Sequence, residues 1–343
     1  MISFFSHFIG FRTPSIPMEK VEQDIINVLQ FNQTIPVEHL RSLLDLTVKM
    51  TSADRPSFPR AWSQATLQLV ELDLGVNQYT NAESVLNDVE RFLESTAFEE
   101  RDSLTGVVLL LKMKLYFQTG SYDLLRLLYF RLAGQPQVLP QRRLSEAMQI
   151  AGHLFMHDGD WTAAHRAFMF AFLNDRSSGQ RALRLKYTII ASILTGSLVD
   201  MFADNEVRLF LRDEQVRVCS LLMECFQRRD AIGFAKAIND NASVFKDDAN
   251  TNPYIVALLR KSRVEALREY TSSFTRISFP SIARHIGVDE KGVEELCRYA
   301  LINGLIAGRI DSLTPSLTLF DSRQTSENAR LAALNKWADA LKV

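Results

Sequence analysis

Apolar residues recur at helical spacing along most of the chain. Val21, Ile25, Val28 and Leu29 share one face, as do Leu40, Leu43, Leu44 and Val48, and Val107, Leu110, Leu111 and Leu115 continue the pattern. The pattern breaks at Pro36, at Pro56 with Pro59, at Gly120, between Gln135 and Pro140, and at Gly159. This spacing predicts consecutive helices of about 12–18 residues joined by short turns. Strand-like alternation is scarce before residue 270. The expected class is all-α.

The helices repeat. The segment LYFQTGSYDLLRLLYF (Leu115 to Phe130) aligns with LFMHDGDWTAAHRAFMF (Leu154 to Phe170), with Gly120 on Gly159 and Tyr122 on Trp161, both 39 residues apart. A third aromatic, Tyr79, lies 43 residues before Tyr122 and precedes a helical stretch from Ala82 to Leu93. In each unit a helix ends near a turn, an aromatic opens the next helix, and a small residue such as Ala164 lets the two approach. The pattern resembles a degenerate tetratricopeptide repeat (TPR), longer than the usual period of about 34 residues. A lone helix pair cannot bury its apolar face, so such units stack into an α-solenoid that offers an extended surface to partners.

The pattern changes near residue 270. An extended opening with Pro280 leads to a short helix ending about His285 and a turn at Gly287. An amphipathic helix then spans Asp289 to Ile302, with Val293, Leu296, Tyr299, Ala300 and Cys297 expected on its inner side. Asn303 and Gly304 form a helix-stop signal. Leu305 to Ile310 and Leu317 to Phe320 read as two strands around a turn containing Pro315. Helices followed by a two-stranded wing is the winged-helix order. A last helix, about Ser326 to Leu341, would place Leu331, Leu334 and Leu341 on one face with Trp337 beside them.

Composition narrows the function. Of 343 residues, 47% are hydrophobic and 23% charged, enough for a folded core, and 39 basic against 40 acidic side chains leave a net charge of −1. That balance argues against a protein built to neutralise phosphate. The second helix of the winged helix carries Lys291 and Arg298 against Asp289, Glu290, Glu294 and Glu295, which would repel a nucleic-acid backbone. The three cysteines, Cys219, Cys225 and Cys297, offer no disulfide framework or C-x-x-C motif and read as small core residues. No window approaches the roughly 18 apolar residues of a membrane span. The apolar start MISFFSHFIGF lacks a basic flank and reads as an N-terminal arm, not a targeting signal. His153 and His157 stand four apart, a spacing that can serve zinc, with Asp160 or His165 as a third ligand. The Glu of H-E-x-x-H is replaced by Leu154, and a histidine pair at a helix end is the simpler reading. No phosphate-binding glycine loop or nucleophile elbow is present. Asp247 and Asp248 read as loop and capping residues. No catalytic, cofactor or metal residue is assigned.

Helical repeats running into a winged helix resemble the PCI family, shared by the proteasome lid, the COP9 signalosome and translation initiation factor 3. The residues carrying the resemblance begin at LRLKYTIIASIL (Leu183 to Leu194), with a lysine–tyrosine pair opening an apolar helix. They continue through Phe202, Asp204 and Glu206, then CFQRRDAIGFAKAI (Cys225 to Ile238), where Phe226, Asp230 and Phe234 match the family's positions. Asp247 and Asp248 follow, ahead of a helix expected to end in Leu258, Leu259 and Arg260. The stretch from Tyr270 to Asp311, with its FTRI, IGV turn, VEEL helix and closing GRID, is most similar to the subunit 2 branch of the signalosome, and a proteasome lid subunit is the runner-up. The basic helical arm of subunit 2 relatives matches no segment here, so cullin and inositol-phosphate contacts are carried over to no residue.

The resemblance implies an N-terminal arm (1–18), TPR-like repeats (19–269, with the helical half of the PCI domain from about 183), a winged helix (270–321) and a C-terminal helix (322–343). It implies a non-enzymatic scaffold in cytoplasm and nucleus, within a complex whose separate metalloprotease subunit removes Nedd8 from cullin–RING ligases. Other PCI subunits would be held by the wing, through Leu305, Ile306, Arg309, Ile310 and Asp311, and by the terminal helix, through Leu331, Leu334, Trp337 and Leu341. A nucleic-acid-associated PCI protein is the alternative of a different class.

Overall fold

Several helices are apolar on more than one side, and this decides how they stack. The computed structural model describes residues 18–30, 36–76, 79, 81–175, 179–311 and 313–320. Two units are distinguished, one within Met1–Gly159 and Phe170–Ser177, the other within Asp160–Met169 and Ser178–Val343.

The first unit contains α1 (Met18–Gln30), α2 (Val37–Ser52), α3 (Pro59–Gly75), α4 (Ala82–Ser95), α5 (Arg101–Gln118), α6 (Tyr122–Ala133) and α7 (Gln141–Asp158). Each begins where the periodicity resumes after a proline, glycine or polar break. Ile25, Leu29 and Leu44 bury against Ala61 and Ala65 on one side of α3, while Leu67, Val70 and Leu74 on its other side meet Leu86 and Val89 of α4. In the same way α5 gives Val108 and Leu111 to the α3–α4 core, and Leu110 and Met113 to a core with Leu125 of α6 and Leu154 of α7. Each such buried leucine is worth roughly 1.5–3 kcal/mol. Sharing a helix between successive cores is the nearest-neighbour stacking of a repeat array.

The repeat glycines have a backbone reason. Gly120 and Gly159 follow the ends of α5 and α7 at φ +71° and +78°, the left-handed conformation that terminates a helix without a Cβ penalty. Tyr122 opens α6 and stacks on His157 at 3.8 Å, and Phe117 stacks on the buried His153 at 5.2 Å.

The second unit contains most of α8 (Trp161–Asn174), then α9 (Arg181–Thr195), the short α10 (Asn205–Arg208), α11 (Glu214–Gln227), α12 (Ala231–Asp240), α13 (Ala242–Lys246) and α14 (Ile255–Thr271). Aspartates start several of these: Asp160, Asp204, Asp213 and Asp230 each accept a backbone N–H of the following turn. α9 is buried from Arg184 to Leu194, its apolar face shared between α11 and α14.

The winged helix closes the described chain with β1 (Arg276–Ser278), α15 (Phe279–Ile286), α16 (Glu290–Ile302), β2 (Gly308–Asp311) and β3 (Ser316–Leu319). Its antiparallel sheet has the order β1–β3–β2, pairing Ile277 with Leu317 and Ile310 with Leu317. The all-α class, the helical array and the winged helix agree with the sequence reading. The two expected strands of the wing are present as β2 and β3, and the extended opening adds a third strand to their sheet, because Arg276–Ser278 pairs with β3, a partner about 40 residues away that local periodicity cannot show. Pro280 lies in the first turn of α15, where its missing N–H costs nothing. Leu258, Leu259 and Arg260 stand in the first two turns of α14, which runs on to Thr271. Tyr299 is exposed, not inward: Val293, Leu296, Cys297 and Ala300 fill the core, and the Tyr299 ring lies outside it with the Arg260 guanidinium 5.2 Å away. The expected N-terminal arm and C-terminal helix lie outside the described residues.

Gly106 in α5 tests the first unit. A methyl there would stand 2.7 Å from Val138 Cγ1 and 2.9 Å from its carbonyl oxygen, whereas one at Gly75 meets nothing within 4 Å. Alanine gains up to about 1 kcal/mol in helix propensity, and overpacking costs about 1–3 kcal/mol. Urea denaturation should therefore show Gly106→Ala less stable by about 1–2 kcal/mol and Gly75→Ala unchanged or slightly more stable.

Candidate functional site

The wing is the candidate interaction edge. Phe320 N–H bonds to the Ala307 carbonyl, and the register alternates from there, so Arg309 and Asp311 face β3 through their backbone. The N–H and C=O groups of Gly308 and Ile310 therefore point outward from the sheet, and β2 has no neighbour on that side among the described residues. Such an edge can accept another strand. Gly308 is required by close packing, since a Cβ would collide with the Thr318 carbonyl.

The two sequence motifs of this module meet in space. Arg276, from FTRI, donates through Nη2 to Asp311 Oδ2 (3.1 Å) and Thr314 Oγ1 (2.6 Å), and through Nε to Ser316 Oγ (3.2 Å); Asp311 closes GRID. Asp311 also accepts from Leu313 N–H and from the N–H and hydroxyl of Thr314. The Thr314 and Leu313 hydrogen bonds and the Arg276 charge hold its carboxyl below the usual range. Asp311 thus spends its side chain on the turn, while Arg309 is exposed and Ile310 packs partly against the core. Leu305 and Ile306 precede the strand. Both N–H groups bond to the Ala300 carbonyl at 2.9 and 3.4 Å, closing the end of α16, and the Leu305 side chain is exposed. Leu331, Leu334, Trp337 and Leu341 lie outside the described residues.

Behind the wing, the helical half is tied by a buried ion pair. Lys186 on α9, with its side chain 1% exposed, donates to Asp248 Oδ2 at 2.7 Å and to the Val244 carbonyl at 2.9 Å. Tyr187 and Thr251 donate hydroxyls to the same carboxylate at 3.2 and 2.7 Å, and Asn250 N–H binds its other oxygen at 2.9 Å. Burial pulls the Asp248 carboxyl upward, but the hydrogen bonds from Lys186 and Thr251 outweigh it and leave it below the ordinary value. Burial, with Asp248 beside it, pushes the Tyr187 hydroxyl well above its usual value. Expected as a capping residue, Asp248 is instead the hub that joins α9 to the segment before α14. Periodicity missed this, and only the lysine–tyrosine pair of the family resemblance marked its other half.

A second tie lies at the turn between α11 and α12. Phe226 and Phe234 are buried, Asp230 caps α12, and Arg229 takes the left-handed conformation at φ 59°. Its guanidinium reaches Glu265 on α14 at 3.2 Å, and Lys261 approaches the same carboxylate at 3.3 Å. These contacts account for the residues around QRRD.

The remaining candidates are structural. His153 and His157 are taken up by Phe117 and Tyr122 as stacking partners. Among the described residues no group of three or more His, Cys, Asp or Glu is placed to hold a metal. Cys219 and Cys297 are buried and their thiols are pushed up to about 12, mainly by burial, which suits core residues. On α16, Arg298 pairs with Glu294 at 2.5 Å, leaving Asp289, Glu290 and Glu295 to dominate that helix. No described helix is long and apolar enough to cross a membrane.

Residues 238–318 match the family model for the PCI domain, so the chain carries that domain across α12 to β3. The chain is 25% identical to COP9 signalosome complex subunit 2 of Dictyostelium discoideum over 99% of its own length and 77% of the relative's. It is 24% identical to the subunit of that name from Drosophila melanogaster, over 82% of this chain and 65% of the relative, less than two-thirds of that protein. For the Schizosaccharomyces pombe subunit the identity is 20%, over 100% of this chain and 80% of the relative.

The Lys186–Asp248 pair yields a stability test. Lys186→Met strands a carboxylate among buried groups and should cost about 3–5 kcal/mol in urea denaturation. Because the folded Asp248 titrates below the unfolded value of about 3.9, its contribution is complete above that pH and is lost as pH falls through the folded value. The stability gap between native protein and Asp248→Asn should therefore be full at neutral pH and narrow below about pH 4.

Proposed function

We propose that this PCI-domain chain is a non-catalytic scaffold subunit of a COP9-signalosome-like complex, the assembly that removes the ubiquitin-like modifier Nedd8 from cullin–RING ubiquitin ligases. The reading is carried by similarity along 99% of the chain to a protein named COP9 signalosome complex subunit 2. It is supported by the wing, whose edge strand β2 suits pairing with another subunit.

In this reading the protein performs no chemistry. Its helical array and winged helix position neighbours, while a metalloprotease subunit of the same complex cleaves the isopeptide bond. The partners are other PCI-domain subunits, held at β2 through the backbone of Gly308 and Ile310 with Leu305, Ile306, Arg309 and Asp311 around them. The terminal segment, with Leu331, Leu334, Trp337 and Leu341, would join a bundle of helices from several subunits. Cullin–RING ligases are the substrate-side partners, and the complex would work in cytoplasm and nucleus.

Affinity purification of the tagged full chain from its own cells, with mass spectrometry, tests the assignment. A stoichiometric set of PCI subunits with a zinc isopeptidase and cullins is expected; proteasomal ATPases and core subunits would move the chain to the lid. Ile310→Pro removes an outward N–H at the sheet edge while sparing the β2–β3 bonds. It should strip at least one PCI subunit from the purified set, whereas Ile310→Val should retain it. Truncation before Ser322 should leave a folded chain that no longer assembles, read as a loss of complex mass by size exclusion.

A further inference from the structure

A groove of about 570 Å³ opens between α14 and α16, within the second unit and apart from the wing edge. Val256, Leu259, Arg260 and Arg263 form the α14 wall; Leu296 and Tyr299 form the α16 wall. Val256 and Tyr299 are exposed at 64% and 39%, large values for apolar and aromatic side chains on adjoining helices. Arg260 and Arg263 lie three residues apart and so share one helical face. Neither makes an ion pair among the described residues, although Lys261 and Arg268 of the same helix both reach Glu265. Arg260 lies over the Tyr299 ring instead, and Arg263 Nε is buried with no acceptor. Glu295 also lines the groove but pairs with neither arginine.

A buried guanidinium nitrogen without an acceptor is a cost that a ligand oxygen would remove. Two unpaired arginines on an apolar floor match a carboxylate flanked by apolar side chains. They do not match a basic segment, which they would repel, or an uncharged one, which would leave both unanswered. Set against Glu295, the two arginines leave an excess of one positive charge in the groove, which a single carboxylate answers and the repeated charge of an extended polyphosphate backbone such as RNA exceeds. We propose that this groove is a docking site for an acidic, apolar-flanked peptide segment of a partner protein, with Asp or Glu held by Arg260 and Arg263 and a Leu- or Phe-sized side chain against Val256, Leu259 and Tyr299. The site is separate from the β-edge and does not depend on which complex the chain joins.

Selection of a random dodecapeptide phage library on the full chain tests this, followed by fluorescence anisotropy with the enriched peptides, their Asn/Gln counterparts and a single-stranded RNA dodecamer. Enrichment of Asp or Glu beside Leu or Phe is expected, with binding that weakens as salt rises. The amide counterparts should bind at least tenfold more weakly. Arg260→Gln and Arg263→Gln should each weaken the acidic peptides at least fivefold, and Val256→Glu should abolish binding. Arg260 and Val256 are exposed, so their variants should fold normally, which a thermal melt checks and which keeps the test sound if Arg263→Gln is unstable. The proposal is overturned if no acidic–apolar motif is enriched, if amide and acid peptides bind alike, if the Arg260 and Val256 variants bind like native protein, or if the RNA binds more tightly than the peptides.

Discussion

Leu110 and Leu111 are neighbours in the chain and lie in different cores. Leu111 belongs with α3 and α4, Leu110 with α6 and α7, and both are fully buried. The same division occurs in α3 between Ala65 and Leu67. A helix that must bury two sides cannot be satisfied by one partner, so each core commits the chain to the next. This constraint organises the first unit. Repeat geometry, glycine stops and aromatic openers follow from it, since each unit needs a firm helix end and a wedge against its predecessor. Polar ties reinforce the stacking: Glu71 of α3 binds Arg143 of α7 through two hydrogen bonds and lies 3.2 Å from Lys114 of α5. Buried Lys112 joins α5 to Asn87 and Glu90 of α4.

The second unit also buries charge among its apolar side chains. Lys186 and Asp248 meet deep among its helices, and Arg229 and Glu265 meet at the turn between α11 and α12. Apolar pairs of similar volume are often as stable as buried ion pairs; what an ion pair adds is register, because few alternative packings satisfy every donor. The winged helix rests on this frame through Val264, Ala266 and Leu267 of α14, which pack with Phe279, Ile282 and Leu317. With its core complete, the winged helix can leave the outer edge of β2 without a strand partner among the described residues.

Testing the edge strand by a proline that spares the inner ladder separates folding from assembly, a distinction that matters for any scaffold. Among the described residues, the peptide groups of Gly308 and Ile310 point outward from the sheet, and Arg260 and Arg263 of α14 have no carboxylate partner. His153 and His157 are absorbed in aromatic stacking, and Cys219 and Cys297 in core packing.

Much of the architecture was legible in sequence. Helical periodicity, the spacing of Gly120 and Gly159, the break near residue 270 and the wing are local signals, and each depends on which residues stand within a turn or two. Asp289 to Ile302 and the Asn303–Gly304 stop fell within a residue of α16. What remained hidden needed contacts between distant positions. The third strand exists only because β3 returns to Arg276, and the Tyr299 ring meets Arg260 only because α14 lies beside α16. Asp248 became a hub, not a cap, because Lys186, 62 residues earlier, points into the same space. Periodicity states which face of a helix is apolar; it does not state which element covers that face or which buried charge will find its partner there. Those outcomes are set by tertiary packing, because a desolvated charge needs a partner that is brought to it only when distant elements pack together.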